Sequence, residues 1–329
     1  MTASHSCASA EFDTRTRPRT APRAAAVATL CGYATAVPTP FRGDHIDENA
    51  FEAFCDWQIK QGIAALVVNG TTGEAPTLSL SEQQRLVRVA VATAAGRVPV
   101  IAGAGSNSTA HAVEIARQAE AAGADGLLAV TPYYNRPSQK GLLLHFRAIH
   151  AATSLPILLY DVPSRTGCSL AIETVLRLAD MPRIAGLKDA TGDLARARRL
   201  CALLDYRFRL FSGDDATALD FMAAGGHGCI SVLSNVAPAL TVRLYDHWRR
   251  GAAGEARAIA EAVAPLVAAL FAESNPVPVK QALEALGWMS ADVRLPLCAA
   301  SSATRRQVTA ALTDLGLLPV REPVRLDAD

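Results

Sequence analysis

The chain has 329 residues, half of them hydrophobic but only 5% aromatic, and a formal net charge of +1. That length supports a large core, in one domain or two, built from Ala, Val, Leu and Ile. The near-neutral charge argues against bulk attraction to nucleic acid or acidic membranes, and no apolar run nears the ~20 residues that span a bilayer.

Residues 1–26, "MTASHSCASAEFDTRTRPRTAPRAAA", are rich in Ser, Thr, Ala, Pro and Arg and lack apolar periodicity. No apolar stretch precedes a cleavage site, as a secretory signal requires, and the Arg- and Ser-rich, acid-poor makeup only faintly resembles a transit peptide. The segment reads as a disordered tail ahead of the fold.

From about residue 32 the pattern alternates. Eight short apolar runs read as buried parallel strands: 33–38, 65–70, 99–104, 126–132, 156–162, 183–188, 208–213 and 228–234. Helical spacing lies between them. Phe51, Phe54, Cys55 and Ile59 share one face of a predicted helix over 50–61, and further helices are predicted over 82–95, 110–122 and 216–224. Ser79 and Glu82 form a capping box for the second of these. Eight strand–helix units in about 205 residues predict a (β/α)8 barrel over 27–236. A doubly wound sheet is the rival, but "GAGSNS" at 103–108 has Ser108 where the third glycine of a dinucleotide loop belongs. Residues 237–329 read as a helical region, broken by "ESNPVPVK" at 273–280.

Seven scattered cysteines without a C-x-x-C pair fit free thiols in a reducing cytoplasm, and the seven histidines show no ligand spacing, so no metal or cofactor is expected.

In a barrel, chemistry collects at the carboxyl ends of the strands. The second strand ends in "GTTGE" (70–74), whose N–H groups and hydroxyls suit a carboxylate, although such a loop is as often a plain turn. The fourth ends in "TPYYNRP", with Tyr133 and Tyr134 side by side, either functional or packing at a loop. The fifth carries Tyr160 and then Arg165. The seventh ends in "SGDD", where Asp214 or Asp215 is most simply a helix N-cap. The sixth ends at Lys188, one of four lysines among 32 basic residues. A chain that writes Arg wherever plain charge is wanted calls for a reason here. Burial disfavours an ammonium, and a neutral amine is a nucleophile able to form an imine with a ketone. The plainer reading is a buried lysine paired with an acid such as Asp189. Tyr160 and the threonines on the same rim favour the nucleophile.

Together "GTTGEAPTLS", "TPYYNRPSQKG", "LYDVPSRTG", "GLKDATGD", "SGDDATALDFMAAGGHGCISVLSN" and "NPVPVKQAL" resemble the dihydrodipicolinate synthase family of pyruvate-dependent class I aldolases and lyases, from about Gly32 to Leu318. The resemblance implies that Lys188 forms an imine with pyruvate and that Tyr160 moves the protons. It implies that Thr71 links Tyr160 to Tyr134 of a neighbouring subunit in a dimer of dimers. Thr72 would hold the pyruvate carboxylate, Arg165 the carboxylate of aspartate semialdehyde, and the main chain at Gly213 and Ile230 would line the pocket. The implied product is 4-hydroxy-tetrahydrodipicolinate, on the diaminopimelate route to lysine. An N-acetylneuraminate lyase or sugar-acid aldolase or dehydratase of the same superfamily is the alternative, and a non-catalytic binding barrel stands further off. Asp161 stands where many members carry Asn. Members inhibited by lysine floor its site with a tyrosine matching Tyr133 and an Asn matching Asn107. They add an acid where this chain has His111, and often histidines where it has Leu80 and Gln83.

Overall fold

The structure is a computed structural model that describes residues 23–318. Eight strands close into a parallel barrel: β1 (Gly32–Ala36), β2 (Ala65–Val68), β3 (Val100–Gly103), β4 (Gly126–Val130), β5 (Ile157–Asp161), β6 (Ile184–Asp189), β7 (Arg209–Ser212) and β8 (Gly228–Ser231). Each strand pairs with the next, and β8 returns to β1. The predicted runs all become strands, seven of them one to three residues shorter than predicted and β6 of the predicted length but shifted by one residue to end at Asp189. The rival open sheet is excluded by closure.

Strand alternation divides the apolar residues between two cores. Inside the barrel lie Ala34, Ala36, Ala65, Val67, Ile101, Leu128, Leu158, Phe211 and Ile230. Eight of these nine are aliphatic, which is how a chain poor in aromatic residues fills a narrow interior. Outside, residues such as Leu66, Val68, Leu127, Leu159 and Leu187 meet the surrounding helices. These include α2 (Glu48–Lys60), α3 (Leu80–Ala94), α4 (Thr109–Ala121) and α5 (Gln139–Ala152). Ser79 accepts from Glu82 N and Glu82 accepts from Ser79 N, so the capping box that starts α3 is present.

Of the segment expected to lack structure, residues 1–22 lie outside the described residues, whereas 23–26 belong to the first helix, α1 (Arg23–Ala28). Val27 and Leu30 join the barrel's inner core, and Arg209 Nε donates to Ala28 O. An apolar plug at the amino-terminal mouth therefore replaces the expected tail over these residues. A two-residue hairpin, Phe41–Arg42 with His45–Ile46, is a further element that the sequence pattern did not announce.

Past β8 the described residues form four α-helices, Pro238–Arg249, Ala253–Leu270, Val277–Ala285 and Ser302–Asp314. The predicted break at 273–280 ends early, because Val277 already starts a helix with Pro278 in its first turn, where a missing N–H is harmless. Leu266, Leu283 and Leu312 share one apolar cluster with Leu66 and Leu127, so this region continues the barrel's outer core. Among the described residues no helix is long and apolar enough to cross a membrane.

Candidate active site

A cavity of about 360 Å³ opens at the carboxyl ends of the strands, with Thr71, Tyr133, Tyr160 and Arg165 in its wall. Lys188 stands at the end of β6, directly beside Tyr160 on β5 in the parallel register. Its side chain is 6% exposed, and its Nζ lies 4.4 Å from the Tyr160 ring centroid. Among the described residues no carboxylate lies within ion-pair distance of that nitrogen. Asp189, the partner weighed for it, bonds instead to Arg196 Nη1 at 2.5 Å and to Thr191 Oγ at 2.6 Å. Successive strand residues face opposite ways, so Asp189 points out of the barrel and cannot serve an inward lysine.

Gly213 shows why a glycine follows β7. A Cβ there would sit 3.0 Å from Lys188 Cε and 2.7 Å from Ala190 Cβ, so the lysine stem occupies the space a side chain would need. Ile230 is fully buried beside Phe211 in the inner core. Thr72 is buried with its Oγ accepting from Asn275 Nδ2 at 2.9 Å. Arg165 is exposed on the rim, with Nη2 donating to Asn275 O at 3.4 Å. Asn275 thus ties the carboxylate-type loop, the rim arginine and the C-terminal helices, a junction that sequence reading did not find.

Tyr134 is not in the cavity. It is 88% exposed, with φ of 74°, and its side chain points to solvent. Thr71 and Tyr160 share the cavity wall, yet no hydrogen bond joins their hydroxyls within the described residues. A three-hydroxyl relay is therefore not assembled by one chain.

The expected N-cap role of Asp214 or Asp215 is corrected. The N-cap of the helix Ala218–Ala223 is Thr217. Asp214 closes a turn onto Ala216 N, and buried Asp215 accepts from Ser231 Oγ, Val232 N and Leu233 N. Burial pushes the Asp215 carboxyl up from its usual range, while those three donors pull it down. It fastens the end of β8 to the loop after β7.

The "GTTGE" loop is held from behind. Glu74, at φ of 55°, accepts from Lys280 Nζ at 2.7 Å and from Arg294 N at 3.0 Å, and both the Glu74 and Lys280 side chains are fully buried. Left-handed backbone at a non-glycine residue costs about 1–3 kcal/mol, so the loop needs such anchoring. The same rule of rare lysines that singled out Lys188 would have found Lys280.

Among the described residues no group of three His, Cys, Asp or Glu side chains is placed to hold a metal ion. The chemistry offered is that of a buried amine, without an acid partner among the described residues, packed on a phenol that lines a cavity with a cationic rim.

The Dihydrodipicolinate synthetase family profile matches residues 29–315. The 4-hydroxy-tetrahydrodipicolinate synthase of Rhodospirillum centenum is 49% identical over 287 residues, 87% of this chain and 99% of its own. The crystal structure of the chloride-inhibited dihydrodipicolinate synthase from Acinetobacter baumannii complexed with pyruvate superposes with a TM-score of 0.86 at 41% identity, covering 88% of this chain and all of that one. The enzyme from Cyanidioschyzon merolae with lysine bound gives a TM-score of 0.86 at 39% identity, covering 88% and 99%.

Proposed function

Because the chain belongs to the dihydrodipicolinate synthetase family, we propose that it is a class I lyase that condenses pyruvate with L-aspartate 4-semialdehyde to 4-hydroxy-tetrahydrodipicolinate, on the diaminopimelate route to lysine. The observation that carries this reading is Lys188, a buried amine without an acid partner among the described residues, packed on Tyr160 at the active end of the barrel.

Lys188 Nζ adds to the pyruvate C2 carbonyl, and the hydroxyl leaves as water with the proton of Tyr160, giving a protonated imine and a phenolate able to take the next proton. The imine draws electrons from the adjacent methyl, whose proton passes to the Tyr160 oxygen, and an enamine forms. The enamine carbon attacks the semialdehyde carbonyl, and the new alkoxide takes a proton back. The semialdehyde's own amine then adds to C2 and displaces Lys188, which closes the ring and frees the enzyme. Thr72 and the loop amides hold the pyruvate carboxylate, Arg165 meets the second carboxylate with a charge-assisted fork, and the Gly213 and Ile230 main chain shapes the wall.

The outward Tyr134 supports an enzyme of at least two subunits, in which this tyrosine and Thr71 complete a partner's proton relay. A dimer of dimers in the cytoplasm is the assembly we infer, with the six described cysteines free.

Borohydride added with pyruvate is expected to fix a reduced adduct on Lys188, located by peptide mass mapping. A label on another residue, or none, overturns the reading.

A further inference from the structure

One residue beyond Tyr160 and one beyond Lys188, the strands carry acids. Asp161 and Asp189 are themselves in register across β5 and β6. By alternation they face outward while the tyrosine and lysine face inward. A single guanidinium spans them. Arg196 Nη1 donates to Asp189 Oδ2 at 2.5 Å, and Nη2 donates to Asp161 Oδ2 at 3.0 Å and to Leu170 O at 2.7 Å. All three side chains are 10% exposed or less.

Each end of the bridge is fixed in turn. Arg196 sits in the first turn of the helix Leu194–Leu203, with its backbone N–H capped by Asp193. Thr191 takes up the other oxygen of Asp189 through its N–H and its hydroxyl. Ser169 Oγ and Leu170 N donate to the Asp161 oxygen that Arg196 also uses, and the other Asp161 oxygen is buried without a partner. Two carboxylates on one guanidinium, out of contact with the cavity, make a poor stability device, because taking ions out of water costs as much as or more than their pairing returns. Their placement directly behind the reacting pair gives them another use.

We propose that Arg196, bridging Asp161 and Asp189, is a positioning residue that sets the lateral distance between Tyr160 and Lys188 for proton removal from the imine. The inference rests on the imine reading above. A lysine at 196 has one point of charge and cannot hold two carboxylates in fixed directions as the planar fork does. Misplacing reacting groups by about 1 Å can slow a step by about a hundredfold.

The test uses pyruvate alone. Exchange of its methyl hydrogens in heavy water, followed by NMR, reads proton removal. Borohydride trapping at saturating pyruvate counts the imine-forming sites. Arg196→Lys is expected to trap fully but to exchange at least about tenfold more slowly per trapped site, well below its melting temperature. Asp161→Ala should behave alike, and Asp161→Asn, which keeps one acceptor oxygen, should fall between it and the wild type. A general loss of stability lowers the trapped count and the exchange together, so it does not imitate this split. Folded variants that exchange per site as fast as an exchanging wild type would remove the bridge's role alone. A wild type that neither traps nor exchanges would remove the imine reading and this role with it.

Discussion

The molecule buries two of its four lysines, one in the barrel and one in the C-terminal helices, and treats them oppositely. Lys280 is fully buried, its Nζ 2.7 Å from Glu74 and 4.2 Å from the Phe41 ring centroid. Lys188 is almost as buried and also lies on a ring, that of Tyr160, but among the described residues it has no carboxylate within ion-pair distance. Burial and an aromatic neighbour are common to both. What differs is the acid, and the role of each amine follows from it. The paired lysine anchors a loop, and the unpaired one lies against a tyrosine that lines a cavity. Burial lowers the Lys280 pKa, but the Glu74 carboxylate opposes it and holds the ammonium. A buried lysine therefore marks chemistry only where the chain withholds its counter-ion.

Exchanging each lysine for methionine breaks the comparison most directly. Lys188→Met is expected to abolish turnover and trapping and to unfold at the same or higher urea concentration, since it replaces a largely buried amine, which has no acid partner among the described residues, with an apolar side chain of similar length. Lys280→Met leaves Glu74 buried and unpaired and is expected to lose about 3–5 kcal/mol of stability, while the folded fraction still traps pyruvate on Lys188. Glu74→Gln added to Lys280→Met should restore part of that loss by removing the stranded charge. Denaturant melts and mass mapping read both quantities. A Lys280→Met protein of normal stability that no longer traps pyruvate would reverse the assignment.

Arg165 sharpens the same contrast from the rim, because it is a cation whose side chain meets Asn275 O and, among the described residues, no acid. If it waits for the carboxylate of the second substrate, Arg165→Ala should leave pyruvate trapping intact. It should lower kcat/KM for aspartate semialdehyde by about one to two decades, the equivalent of ~1.5–3 kcal/mol. Equal losses for aldehydes lacking a carboxylate would contradict that role.

Much of this was legible in the sequence because the signals were local. Eight apolar runs of strand length pointed to the barrel, and the scarcity of lysine pointed to Lys188. What escaped depends on contacts between distant segments. Asn275 meets Thr72 across 203 positions and Lys280 meets Glu74 across 206, and no periodicity announces either. Asp215 looked like a cap because "SGDD" precedes a helix, yet its partners lie at the carboxyl end of the next strand. The plug over 23–28 was hidden because four alanines and a valine are too few to show an amphipathic pattern.

The smallest effect concerns an amine that comes from outside. Resemblance to lysine-inhibited members places an amino-acid site by Tyr133, and Tyr133 and His111 do share the cavity wall here. The acid such a site supplies is missing, as at Lys188. Glu114, which pairs with His111 at 3.6 Å from its Nδ1, is half-exposed and is not part of that wall. An α-ammonium entering this corner would be desolvated with no anion to receive it, the situation that Glu74 prevents at Lys280. Lysine at millimolar concentration is therefore expected to leave the rate nearly unchanged. His111→Glu should tighten its binding by about a decade, or ~1.4 kcal/mol. A titration in which sub-millimolar lysine strongly inhibits the unaltered enzyme would show that a partner subunit supplies the missing charge, and the contrast between paired and unpaired amines would then have to be drawn on the assembly.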